Sequence, residues 1–214
     1  MDLTKLFETQ AALDEHIMQE HPELRGKDNL DWKILALQVE LGECANEWRA
    51  FKKWSKDQEP RVWKRINCPS CEKKGYERGK TPVDPVKGIH ALGNHWYYCD
   101  ECAGHLVIDI NPMLIEYVDC LHFILSIGLE KGFNKMNHNL AAVEGLKQNN
   151  INTQFNYLFT KIGDFNSVRN HNNYMYIVPL FIGLGEMLGF TWEQIVDAYY
   201  AKNKVNHERQ ETGY

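Results

Sequence analysis

Two pairs of acidic residues have the spacing to do chemistry. Glu40 and Glu43 lie in LALQVELGECANEWRAF, and Glu116 and Asp119 lie in LIEYVDCLHFILSIG. Residues three apart on a helix share one face, so each pair aims two carboxylates at one locus. Leu37, Leu41, Val118 and Leu121 mark both segments as largely buried helices. Buried carboxylates are costly unless they are paired or bind a cation. No Lys or Arg lies three or four residues from Glu40 or Glu43. Four carboxylates from two packed helices would form an oxygen-rich site suited to Mg²⁺ or Mn²⁺. Solvated helix faces carry such pairs too, and spacing alone leaves that alternative open, as it does for Glu47 one turn further on.

A second constellation is built from sulfur. Cys68 and Cys71 form one CxxC, Cys99 and Cys102 another, and Gly75, Gly79, Pro82, Pro85, Gly88 and Gly93 lie between them. Those residues read as turns, while HWYYC and HLVIDI beside the second pair read as short strands. Tetrahedral Zn²⁺ takes four soft ligands, and each CxxC supplies two from one tight turn. The pattern predicts a zinc ribbon whose four filled positions make it structural. A redox CxxC or two disulfides are the alternatives, and a redox pair does not normally come doubled. His95 and His105 are read as surface or packing residues, and Cys44 and Cys120 as small core residues.

The C-terminal stretch places Lys202, Asn206 and Arg209 at i, i+4 and i+7, one helical face. Lys and Arg bind phosphates by charge and forked hydrogen bonds, and Asn can read a base or ribose edge. A soluble terminal helix is the alternative.

The elements that must carry these residues are mostly helical. Helices are expected from Leu3 to Gln19, from Asp31 through Phe51, from Asn111-Pro112 to Gly132, and at about 151–163, 174–188 and 191–208. Thr191 and Gln194 stand in capping-box positions, and Asn/Gln-rich stretches at 147–156 and 166–173 read as loops or helix ends. Of 214 residues, 43% are hydrophobic, which is ample for a core and excludes wholesale disorder. The net charge of −5 conceals a division: residues 52–80 carry ten bases and four acids, a local +6. The expected organisation is an all-α catalytic domain over 1–55 and 111–214, with a zinc-ribbon-like insertion at 56–110. The richest apolar stretch, Ile177 to Phe190, is interrupted by Glu186, so no membrane span is expected. MDLTKLFETQ is amphipathic and acidic, so the expectation is a cytoplasmic protein.

ILALQVELGECANEWRAFKKWS followed by EYVDCLHFILSIGLEKG resembles the dimeric dUTP diphosphatase family of all-α nucleotide pyrophosphohydrolases, whose hallmark is ExxE on one helix and ExxD on the next. LFETQAALDEHI is similar to that family's first motif, with Gln10 and Asp14 in the matching places, and YxxKNxxNxxRQxxGY is similar to its last. The resemblance covers 3–54 and 111–132 closely and 180–214 well. It implies a mainly α, all-α helical bundle that hydrolyses dUTP, and dUDP, to dUMP, so limiting uracil in DNA. It further implies two or three Mg²⁺ ions held by Glu40, Glu43, Glu116 and Asp119, with Mn²⁺ as a substitute. Glu40 would position and deprotonate the attacking water, with Glu43 as second candidate. Lys202 and Arg209 would clamp phosphates, Gln10 and Asn206 would contact uracil or sugar, and Trp54 or Trp48 would stack on the base. Asp14 and Tyr214 complete the implied substrate-binding set. A homodimer with sites near its interface is implied as well. Two departures stand out: the long Glu43–Glu116 gap, which the ribbon explains as an insertion, and a family tail that often runs past the final Gly-Tyr, whereas the last residue here is Tyr214. The alternatives are a dCTP or broader nucleotide pyrophosphohydrolase, and a protein whose basic ribbon binds nucleic acid.

Overall fold

The computed structural model describes residues 1–76, 83–84, 89–92, 95–135 and 140–213. The turn readings at Gly79, Pro82, Pro85, Gly88 and Gly93, and the substrate contact assigned to Tyr214, lie outside the described residues. The chain divides into two compact units, Met1–Pro60 with Met113–Tyr214, and Arg61–Pro112.

The first unit is helical. Helix α1 (Thr4–Glu20) buries Leu6, Phe7, Gln10 and Leu13. Helix α2 (Leu30–Trp48) buries Leu30, Ile34, Leu37, Leu41, Cys44 and Trp48 along one stripe of helical period. It stops before Phe51 because Arg49 turns left-handed at φ 63°, a turn held by its guanidinium, which donates to the Asp57 carbonyl and carboxylate. After the second unit, α4 (Pro112–Glu130) starts on its proline, and the chain breaks past its end at Gly132, φ +66°.

Helices α5 (Ile151–Ser167), α6 (His171–Met187) and α7 (Trp192–Thr212) are capped by Asn150, Asn170 and Thr191, whose side chains accept backbone N–H groups. The Thr191–Gln194 capping box forms in full. The Asn/Gln-rich run at 147–156 is half helix, because the Asn150 cap starts α5 inside it.

The core joins these helices closely. Tyr117 of α4 stacks on Phe181 of α6 at 4.2 Å. The Tyr174 hydroxyl donates to the Ile124 carbonyl and fills the space above Gly128, where a Cβ would lie 2.3 Å from it. Helix α4, rather than Ile177–Phe190, comes nearest to a membrane span by length and composition. Its apolar residues are instead the centre of the helical core, with Val118 and Cys120 fully buried.

The second unit has a small core of Cys68, Cys71, Tyr76, Cys99, Cys102 and Leu106. Strand β1 (Lys64–Asn67) pairs antiparallel with β5 (Val107–Ile110), with Lys64 opposite Ile110. The short helix α3 (Pro69–Lys73) follows β1 directly. A second antiparallel sheet has the order β2 (Val83–Asp84), β3 (Ile89–Leu92), β4 (His95–Tyr98).

Candidate active site and metal centres

The carboxylates come from the faces of α2 and α4 that flank the buried stripes. Oxygens of Glu40, Glu43 and Glu116 all lie within 4.8 Å of one another. Burial, then repulsion from Asp119 and Glu43, pushes the Glu40 carboxyl up to about 7, and burial with the same neighbours does so for Glu116. Glu40 and Glu116 held this close resist ionising together, and a divalent cation with oxygen ligands relieves that cost. The donor set therefore fits Mg²⁺ or Mn²⁺.

Asp119 departs from the expected quartet. Its Oδ2 accepts from Lys202 Nζ at 2.5 Å, and both side chains are largely buried. Burial raises the Asp119 carboxyl while the Lys202 ammonium opposes the rise. A phosphate ligand and a metal ligand expected from the sequence thus neutralise each other here.

Next to these acids opens a cavity of about 330 Å³. Helix α1 contributes Gln10 and Asp14, α2 contributes Trp32, Lys33 and Glu40, α4 contributes Asp119, His122 and Ser126, and α7 contributes Lys202, Asn206 and Arg209. The terminal helix is therefore packed to bring its basic face onto the acids. It does so through Tyr199, fully buried, whose hydroxyl donates to Gln10 Oε1 at 2.8 Å.

Gln10 is the hub of a buried polar network. Its Nε2 donates to Asp14 Oδ1 at 2.7 Å, and its Oε1 faces His122 Nδ1 at 2.7 Å. Asp14 Oδ2 accepts from Ser126 Oγ at 2.7 Å, and Lys33 Nζ stands 4.0 Å away. Burial raises the Asp14 carboxyl, opposed by Lys33 and by these hydrogen bonds. Burial, reinforced by Lys202, pushes His122 down to about 3, so its imidazole is neutral near pH 7. With the Gln10 oxygen placed opposite it, Nδ1 is the nitrogen that would carry the proton.

Trp54 is 79% exposed beyond the turn at Arg49, edge-on to Phe51, and does not line the cavity. Trp48 is a core residue, 5.7 Å from Phe155. The tryptophan at the cavity is Trp32, absent from the sequence reading together with Lys33, His122 and Ser126. The last two had a signal, since they follow Asp119 at i+3 and i+7 on one helical face. Cys44 and Cys120 are fully buried, and burial drives both thiols far above their ordinary range. They are inert core residues.

In the second unit, Cys68 Sγ lies 3.6 Å from Cys99 Sγ, and Cys71 Sγ 3.6 Å from Cys102 Sγ. All four sulfurs fall within 4.8 Å of one another, and all are free thiols. An edge of a ZnS₄ tetrahedron with 2.3 Å bonds is about 3.8 Å, so the donor set fits Zn²⁺. The knuckles are backbone-made: Glu72 N–H donates to the Cys68 carbonyl, and Ala103, Gly104 and Leu106 take positive φ around the second pair. His105 is exposed and stands outside the cluster.

The sequence model of the dUTPase family matches residues 2–67 and 106–214. The interval between the matched stretches contains all four knuckle cysteines. No curated protein and no solved structure matches the chain.

Proposed function

We propose that this chain, which belongs to the dUTPase family, hydrolyses dUTP to dUMP and pyrophosphate with Mg²⁺, and dUDP to dUMP and phosphate. Family membership carries nucleotide pyrophosphohydrolysis in general. The finer reading rests above all on one observation, the convergence of Glu40, Glu43 and Glu116 beside a cavity that Lys202 and Arg209 also line.

Glu40, Glu43, Glu116 and Asp119 would hold two or three Mg²⁺, with Mn²⁺ able to substitute. When bound, such ions neutralise a triphosphate and acidify a water. Glu40 orients the attacking water and accepts its proton, with Glu43 as the second candidate. Lys202 exchanges Asp119 for phosphate oxygens, and Arg209 joins it as negative charge moves onto the leaving group. Asn206 contacts the sugar or base. Removal of dUTP keeps uracil out of DNA and supplies dUMP, a cytoplasmic task.

The four cysteines would hold one structural Zn²⁺. A unit of about 50 residues is small enough to gain from such a staple. A homodimer is part of the same reading, supported by Leu35 and Val39, 61% and 50% exposed on α2 next to half-exposed Trp32.

Pyrophosphate release from dUTP, measured with and without Mg²⁺, tests the reading. Turnover that requires Mg²⁺ and is lost in Glu43→Gln is expected. No turnover of any deoxynucleotide, or full activity in Glu43→Gln, overturns it.

A further inference from the structure

The second unit leaves a large aromatic ring in water: Trp63 is 61% exposed. Exposed as it is, the ring is anchored twice. Its indole N–H donates to the Asp109 carboxylate. Arg65 lies over the ring, 5.4 Å from its centroid, and forks onto the same carboxylate at 2.7 and 2.9 Å. Arg65 and Asp109 are direct partners across the β1–β5 ladder, so the strand register itself builds the anchor. An exposed ion pair adds little to stability, and a solvated indole buries little apolar area. What the three residues accomplish together is to fix the orientation of one accessible ring.

Charge gathers along the same stretch of chain. From Arg61 to Lys74 there are five bases, Arg61, Lys64, Arg65, Lys73 and Lys74, all of them exposed, against the single acid Glu72. Glu72 accepts from the Asn67 amide at 2.7 Å, and Asp109 is taken by Arg65 and Trp63. The neighbouring acids are therefore engaged, and the strand presents a fixed ring among cations.

A ligand that matches this surface offers flat rings and anions in alternation. A single-stranded polynucleotide does so, because its unpaired bases show their faces and each linkage carries one negative charge. A duplex keeps those faces inside its own stack, and an acidic peptide brings charge without rings. A 2′-hydroxyl adds to neither stacking nor charge, so the occupant is taken as DNA.

We propose that the second unit binds single-stranded DNA, with a base stacked on Trp63 and the flanking phosphates on Arg61 and Lys64. The anchor to Asp109 and Arg65 means that little side-chain freedom is lost when a base arrives. This binding goes beyond the hydrolase reading and does not depend on it, since every residue it uses lies in the second unit.

The test is fluorescence anisotropy of a labelled oligodeoxythymidine of about 20 nucleotides, titrated with the full chain between about 50 and 200 mM NaCl. Binding that weakens with salt is expected. Trp63→Ala should weaken it about tenfold or more, and Trp63→Phe, which keeps a ring, should lose less. Arg61→Ala and Lys64→Ala should each lower the slope of log affinity against log salt by about 0.7. If Trp63→Ala loses its fold, tryptophan emission decides instead: the strand should quench the unaltered protein, and Trp63→Phe should lose most of that quench. No binding at about 50 mM salt, or equal affinity in folded Trp63→Ala, overturns the proposal. Tighter binding of a duplex of the same length, or equal competition by polyglutamate, overturns it too, since charge alone would then be the cause. Tighter binding of the matching RNA overturns the assignment to DNA.

Discussion

The oxygen cluster and the sulfur cluster hold their donor atoms at the same spacing, within 4.8 Å, by opposite means. Glu40, Glu43 and Glu116 stand on two long helices whose buried stripes belong to one large core. That core would fold without any cation, and it forces the acids together at a cost recorded in the raised Glu40 and Glu116 carboxyls. Cys68, Cys71, Cys99 and Cys102 stand on tight turns, and among the described residues they are four of the six buried members of their core. On the proposed reading, the contrast separates a site where folding energy would pre-arrange charge for chemistry from one where ligation would supply folding energy.

The largest effect that would break this contrast is on activity. Glu40→Gln and Glu43→Gln are each expected to lower kcat/KM for dUTP by about 10³-fold, read by pyrophosphate release, while the melting temperature moves by only a few degrees. Unfolding of the helical unit in either variant would show that the acids hold the fold.

Cys68→Ser, or a strong zinc chelator, is expected to do the reverse. Amide hydrogen exchange within residues 61–112 should rise to that of an unfolded chain, while protection in α4 and α6 stays. Bound zinc, assayed on the intact protein, should fall from one equivalent to none.

Lys202→Met tests the borrowed partner of Asp119 and is expected to lower kcat/KM by about 10²-fold. It leaves the Asp119 carboxylate without its counter-ion, so the metal-free protein should also lose stability at pH 8.

The smallest effect is a pH slope. In the metal-free fold Glu40 and Glu116 titrate near 7, above the ordinary carboxyl value of 4.5. Between those values the native state holds more protons than the unfolded chain, so stability falls as pH rises through 7. The melting temperature should drop a few degrees from pH 5.5 to 8 without Mg²⁺, the drop should vanish with saturating Mg²⁺, and Glu116→Gln should flatten it. A flat profile without Mg²⁺ would mean that the two carboxyls ionise freely.

Much of this was legible because helical spacing is a local property. The two acid pairs, the Lys202–Asn206–Arg209 face, the capping box at Thr191 and the doubled CxxC all follow from residues a few positions apart. What was not legible depended on contacts between distant elements. Nothing local to Asp119 announces that Lys202 will neutralise it from 83 positions away. Gln10 and Asp14 are helical neighbours, but the Tyr199 hydroxyl that completes their network arrives from α7. The helix expected to run through Phe51 stops short of it, and Trp54, exposed past that stop, does not line the cavity that Trp32 does. The left-handed turn at Arg49, which ends the helix earlier, carries no glycine or asparagine to signal it.

The register of β1 with β5 has a consequence for the order of folding. Lys64 and Ile110 are partners across that ladder, so the segment between them ends beside where it began. With the ladder formed, the connection that must close between Trp48 and Pro112 shrinks from about 60 residues to about 15. Chain-closure entropy rises with the logarithm of length, and a fourfold shorter loop is about 1.2 kcal/mol easier to close. A β1–β5 ladder that zips first therefore shortens the chain path between α2 and α4, and if zinc ligation promotes the ladder, refolding of the helices would run several-fold faster with the cysteines ligated than with them free.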